Sequence, residues 1–79
     1  MKVKTDPLVR HRDHLDLIEG MIATTEAAIG KHQQTIRQKL REDLDATAET
    51  NAVRAETEAL KRLRAERLAT LNQISRDAK

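Results

Sequence analysis

Large apolar side chains recur at every seventh position through the first half of the chain. These positions are Leu8, Leu15, Ile22, Ile29 and Ile36. A repeat of seven keeps apolar side chains on one side of a supercoiled helix, so the pattern predicts a long helix packed against another helix. Asp6 and Pro7 favour a helix start there, because Asp accepts hydrogen bonds from first-turn amides and Pro suits the first helical position.

The companion positions of this coiled-coil seam, three residues further on, are mostly polar. They are His11, Ile18, Thr25, His32 and Lys39. Polar residues in a seam lower stability but select one register and one partner. His11 and His32 are also candidate pH-sensitive residues. A neutral imidazole packed among aliphatic groups or against its symmetry mate gains a charge as the pH falls toward 5, which should loosen the assembly.

The second half of the chain predicts a turn and a second helix. Residues 45–52 contain no large apolar side chain, and Thr47, Thr50 or Asn51 can each cap a new helix there. Because this stretch also lacks Gly and Pro, one continuous helix is the alternative. The apolar residues that follow are Val53, Leu60, Leu63, Leu68, Leu71 and Ile74. Leu60 and Leu71, like Leu63 and Ile74, are eleven apart, a straighter repeat than seven.

These elements predict an all-α fold: a two-helix antiparallel, coiled-coil-like hairpin that self-associates into a dimer or helical bundle. The predicted divisions are a basic disordered tail at 1–6, a helix at 7–45, a turn at 46–50, a second helix at 51–76 and a frayed terminus at 77–79. Because the first helix is the longer, its amino end is expected to project beyond the second. The predicted oligomer or partner interface comprises Leu8, Leu15, Ile18, Ile22, Ile29, Ile36, Leu40, Leu60, Leu63, Leu71 and Ile74.

Composition argues against an enzyme. The 79 residues include no cysteine and no aromatic residue, and 35% are charged, which favours long helices over a fold with a deep pocket. No nucleophile with a base and no phosphate-binding loop is found, so we expect no catalytic residue, no cofactor and no small-molecule substrate. His11 and His14 are three apart, but a structural zinc site needs four ligands, so we expect no metal.

Charge and hydropathy limit the kinds of partner that we expect. Fifteen Lys and Arg nearly balance thirteen Asp and Glu, and the apolar runs are too short to cross a bilayer. We therefore expect a cytoplasmic protein without membrane contact. The densest basic cluster supplies the candidate nucleic-acid contacts, Lys61, Arg62, Arg64 and Arg67.

These observations predict a non-enzymatic helical protein–protein interaction module: an assembly, adaptor or small chaperone-like protein. Its expected partners are itself and another helical protein. The alternative is an accessory protein that contacts DNA or RNA nonspecifically through basic helix faces, with binding that weakens as salt rises. In size and shape, though not in any motif, such a hairpin resembles small accessory proteins of bacteria, phages and plasmids.

Overall fold

The chain folds back on itself as two packed helices. The computed structural model describes the backbone of residues 7–77 and the side chains of residues 9–77. Helix α1 spans Pro7–Arg41 and helix α2 spans Thr47–Asp77. They run antiparallel in a body of 63 × 25 × 13 Å, and residues 7–77 contain no strand. The predicted all-α hairpin is confirmed for this part of the chain, and the continuous helix is wrong.

Some predictions fall beyond the described residues. The basic tail at 1–6, the side chain of Leu8 and the last two residues, 78–79, lie outside them. Within the described range, neither helix carries an apolar stretch long enough to cross a membrane.

α1 ends in a hydrogen-bonded reversal at Asp43. The Leu44 N–H donates to the Lys39 carbonyl at 2.7 Å, and the Asp43 N–H donates to the Leu40 carbonyl at 3.3 Å. This pair of bonds is the Schellman motif, whose penultimate residue is left-handed and usually glycine. Here that residue is Asp43, with φ of 55°. α1 therefore stops at Arg41, four residues before the predicted end.

Asp45 starts α2. Its Oδ1 accepts the Thr47 N–H at 2.9 Å and also the Thr47 hydroxyl, while the Thr50 N–H donates to the Ala46 carbonyl at 2.9 Å. The carboxylate satisfies an amide that has no partner inside the helix. α2 consequently begins at Thr47, four residues before the predicted start, and the side chain that meets its first amide belongs to Asp45 rather than to Thr47, Thr50 or Asn51.

The core is a single seam between the two helices. Ile18 of α1 is 2% exposed and Leu60 of α2 is 7% exposed. Apart from Ala28, the partly or fully buried residues of α1 follow the predicted repeat of seven: Leu15, Ile22, Ile29 and Ile36, with His11, Ile18, Thr25, His32 and Lys39. The seam that was predicted to face a partner thus faces α2 of the same chain.

The amino end of α1 extends past the described end of α2 by only about one turn, residues 7–10. α2 has 31 residues and α1 has 35, and Asp77 near the end of α2 reaches His11 at 2.8 Å. Ile18, in the amino-terminal half of α1, is the most deeply buried large side chain among the described residues. The overhang is shorter than predicted because α1 ends and α2 starts earlier than expected, so α2 runs further along α1.

The two glycines of α1 are not required by the hairpin. A Cβ built at Gly20 or at Gly30 meets no atom within 4 Å. Both glycines therefore occupy surface positions with room for a side chain. No close approach of another segment within the described chain accounts for them.

Asp43 offers a test of the turn. Replacing Asp43 by Gly should stabilise the chain by about 0.5 to 1 kcal/mol, because Gly adopts positive φ without the steric cost that an L side chain meets. The thermal midpoint should rise by a few degrees. Glu42→Gly is the matched control: its φ is not positive, so Gly there only increases the freedom of the unfolded chain and should lower the midpoint. Equal shifts in both variants would contradict this turn geometry.

Candidate interaction surfaces

Three polar layers cross the seam, and in each a basic side chain of α1 faces a carboxylate of α2. His11 Nε2 lies 2.8 Å from Asp77 Oδ2, and His32 Nδ1 lies 2.8 Å from Glu56 Oε1. Lys39 Nζ forms an ion pair with Glu49 Oε1. From His11 to His32 to Lys39, α1 advances by 21 and then by 7 residues. Their partners on α2 go back along the chain by the same numbers. All three pairs therefore report one antiparallel register.

The carboxylates nearest the turn are held in their charged form. The Lys39 ammonium, by hydrogen bonding, lowers the pKa of Glu49, and partial burial opposes that effect. The Thr47 hydroxyl and N–H lower the pKa of Asp45. The second oxygen of Glu49, Oε2, is buried and has no hydrogen-bond partner among the described residues. The turn end of the hairpin is thus tied by a layer in which an ammonium group faces a carboxylate.

The environment of the two candidate pH-sensitive histidines differs from the one expected. His32 was expected to pack against an aliphatic side chain or its symmetry mate, but it faces the carboxylate of Glu56. His11 faces the carboxylate of Asp77. An imidazolium beside a carboxylate forms a charge-assisted hydrogen bond. The physical reason given for loosening in acid therefore does not apply to this hairpin.

The predicted interface residues divide into two groups. Eight of them lie in the seam between α1 and α2, fully or partly buried: Leu15, Ile18, Ile22, Ile29, Ile36, Leu60, Leu63 and Ile74. Leu40 and Leu71 lie outside it, 62% and 38% exposed. The spacing of eleven stays within the seam for Leu63 and Ile74 but leaves it between Leu60 and Leu71. A repeat of eleven therefore describes the packing of α2 only in part.

Sequence reasoning missed the polar half of α2's seam. α2 also follows a repeat of seven, through Ala46, Val53, Leu60, Arg67 and Ile74, with companions Glu49, Glu56, Leu63, Thr70 and Asp77. Arg67 interrupts its apolar members, and acids occupy three of its companions. The signal that would have revealed it is complementarity: acids recur at the spacing at which His11, His32 and Lys39 recur in α1.

One broad face of the hairpin carries ion pairs between the helices. Glu26 Oε2 lies 3.4 Å from Arg64 Nη2, and Glu19 Oε1 lies 3.4 Å from Arg67 Nε. We call this the charged face. Its pairs are about half exposed and contribute little to stability.

The same contacts weaken the candidate nucleic-acid surface. Arg64 and Arg67 face carboxylates across the hairpin, and Lys61 Nζ lies 3.4 Å from Glu58 Oε1. Arg62 has no ion pair among the described residues. Three of the four predicted bases are therefore partly neutralised, which reduces the local positive field available to phosphates.

The opposite broad face is poor in charge and rich in small and apolar residues. Leu17 is 62% exposed and Met21 is 47% exposed, and both line a shallow depression beside Gly20 and Thr24. Helical spacing places further small residues on this side. We define the apolar face by Leu17, Met21, Thr24, Ala28, Ala52, Ala55 and Ala59. One ion pair crosses it, between His14 Nε2 and Glu66 Oε1 at 3.0 Å.

In the described part of the chain, no group of three or more His, Cys, Asp or Glu side chains is placed to hold a metal ion. Comparison with known protein families, curated proteins and solved structures finds no match to this chain.

The register can be tested by exchanging charges in one layer. Lys39→Glu sets two carboxylates against each other, and Glu49→Lys sets two ammonium groups together, so each should lower the thermal midpoint by several degrees. The double variant restores opposite charges and should recover most of the loss. Lys39→Glu combined with Glu56→Lys is the control, because those positions lie in different layers. Recovery in the control, or none in the matched pair, would show a different register.

Acid should weaken the turn end through Glu49. Because its pKa is lower when folded than when unfolded, the unfolded chain takes up the proton first, and this stabilisation is lost as the pH falls. Glu49→Gln lacks the effect, so its midpoint should fall less than that of the wild type between about pH 5 and pH 3. Glu58→Gln, at an exposed carboxylate, should follow the wild-type curve. Parallel curves for all three chains would contradict the assignment.

Proposed function

We propose that this chain is a non-enzymatic helical interaction module, an assembly, adaptor or small chaperone-like protein whose hairpin presents docking faces to itself and to another helical protein. The observation that carries the proposal is the division of its large apolar side chains. Ile18 and Leu60 are consumed in closing the hairpin, whereas Leu17, Met21 and Leu68 remain 47 to 62% exposed. Clusters of exposed apolar residues are typical of interaction sites.

The seam and the faces have separate roles in this proposal. The polar layers give the two helices one register, so the outer residues are held at fixed positions before any partner arrives. Preorganisation of this kind lowers the entropy lost on binding. A partner therefore does not need to insert into the seam between α1 and α2. Its helix packs on an outer face of the folded hairpin.

Size also favours a protein that works in an assembly. Among the described residues, three apolar side chains, those of Ile18, Ala46 and Leu60, are buried. A short chain with so small a core gains further stability when association buries more apolar surface. The proposal supplies that burial through the exposed leucines and Met21.

Affinity capture with cross-linking mass spectrometry in the source cell tests the proposal. Cross-links from exposed positions of α1 and α2 to helical segments of a defined protein are expected. A variant with Leu17→Lys and Met21→Lys should lose part of that set, while Ile18→Asp, which opens the core, should lose all of it. No specific cross-link above background would contradict an interaction role.

The second candidate is nonspecific contact with DNA or RNA through the basic cluster of α2. Its supporting observation is Arg62, which is next to Lys61 in the sequence and has no ion pair among the described residues. A gel-shift titration distinguishes the two functions, because contacts to a few phosphates should disappear at moderate salt. Tight binding that survives moderate salt, and that is lost in Arg62→Ala with Lys61→Ala, would favour this candidate over protein interaction.

A further inference from the structure

We infer that the apolar face is the docking site for a second copy of this chain, which packs on it with the two turns at opposite ends to form a four-helix bundle. This inference rests on the proposed interaction role and names the surface and the occupant. It begins from the contrast between the two broad faces. Two ion pairs cross the charged face, whereas the other carries Leu17, Met21 and four alanines and is crossed by the one pair His14–Glu66.

The order of side chains along the face makes it complementary to itself. Ala28 of α1 and Ala59 of α2 lie at one level near the middle of the hairpin, as the register of the polar layers requires. Met21 lies seven residues to one side of Ala28, and Thr35 and Ala52 share the level seven residues to the other side. A two-fold axis through the alanines sets each Met21 over the small pair of the other copy. Small residues at the centre let the backbones approach.

Charge decides the orientation. With the turns at opposite ends, Glu66 of one copy lies over Ala52 of the other, and Arg62 lies over Ala55. With the turns together, the two Glu66 carboxylates share one level across the new core, where like charges are costly. The only other charge near the centre, Lys31, lies over Thr24 in the favoured orientation. No charge of the central face then meets its own kind.

The area of the face matches what a stable dimer needs. From His14 to Glu42, at about 1.5 Å per residue, the shared length is about 42 Å, and the hairpin is 25 Å wide. That footprint is sufficient for the ~800 Å² per partner found in standard interfaces. A second copy is also present wherever the chain is made, so it can cover Leu17 and Met21 without another gene product.

Single-cysteine cross-linking tests the axis directly, since the chain has no cysteine of its own. Ala28→Cys places two thiols beside the two-fold axis, so mild oxidation should convert most of the chain to a disulfide-linked dimer. Ala23→Cys is the matched control: it is an exposed alanine one and a half turns away on the side of the charged face, and it should stay monomeric on a denaturing gel. Equal cross-linking of both variants would overturn the inference.

Sedimentation equilibrium measures the same contact without a new bond. The wild type should be a dimer, and Leu17→Lys with Met21→Lys should raise the dimer Kd by more than about tenfold while the helical circular dichroism remains. Leu68→Lys is the control, because Leu68 is 61% exposed and Leu17 is 62% exposed, yet Leu68 lies toward the charged face. A wild type that is helical and monomeric at micromolar concentration overturns the second copy as occupant. Captured helical partners in the cell would leave the proposed function standing.

Discussion

The pairing of unlike polar groups across the seam is the constraint on which the rest of this hairpin depends. Apolar contacts alone select the register only weakly, because apolar residues follow a repeat of seven in both helices, interrupted in α2 at Arg67. The observed register sets His11, His32 and Lys39 each opposite a carboxylate. A slip of one heptad keeps only one such pair: Lys39 meets Glu56 while His32 faces Leu63, or, in the other direction, His32 meets Glu49 while Glu56 faces Thr25. The charged seam groups left without a partner make either slip costly.

The turn follows from that register. Lys39 and Glu49 can pair only if the chain reverses within a few residues, and the Schellman bonds with Asp43 at positive φ accomplish this in five residues, 42–46. Lys39 takes part twice, through its carbonyl in the reversal and through its ammonium in the first polar layer. Helix end, loop and seam are therefore coupled at one place, and the exposed faces inherit their positions from it.

The sequence predicted the apolar half of this arrangement well. The repeat from Leu15 to Ile36 selects the side of α1 that is buried, and Pro7 begins the helix as expected. The turn was harder, because Asp43 takes a conformation that Gly usually signals. The seam of α2 was harder still, since Arg67 and three acids stand where apolar residues are expected. The role of those acids becomes clear only when they are aligned with His11, His32 and Lys39 of α1.

The sequence alone could not show which exposed apolar residues share a face of the hairpin. Leu17 and Leu71 look alike as exposed leucines until the register shows that Leu17 lies on the apolar face, beside Met21, and that Leu71 lies toward the charged face. The interaction role and the two-fold contact proposed above depend on that assignment. Both presuppose that the hairpin closes within one chain.

A distance measurement tests that closure most directly. Spin labels are attached at Asp13→Cys and Ser75→Cys, and the labelled chain is diluted with excess unlabelled chain. Pulsed electron paramagnetic resonance should then give one short distance between the two labels. Helix axes about 10 Å apart plus the two label arms set its value, and a slip of one heptad would change the axial offset by about 10 Å. A distance near 90 Å, as expected for one straight helix, or a short distance that disappears on dilution, would contradict a hairpin closed by its own polar layers.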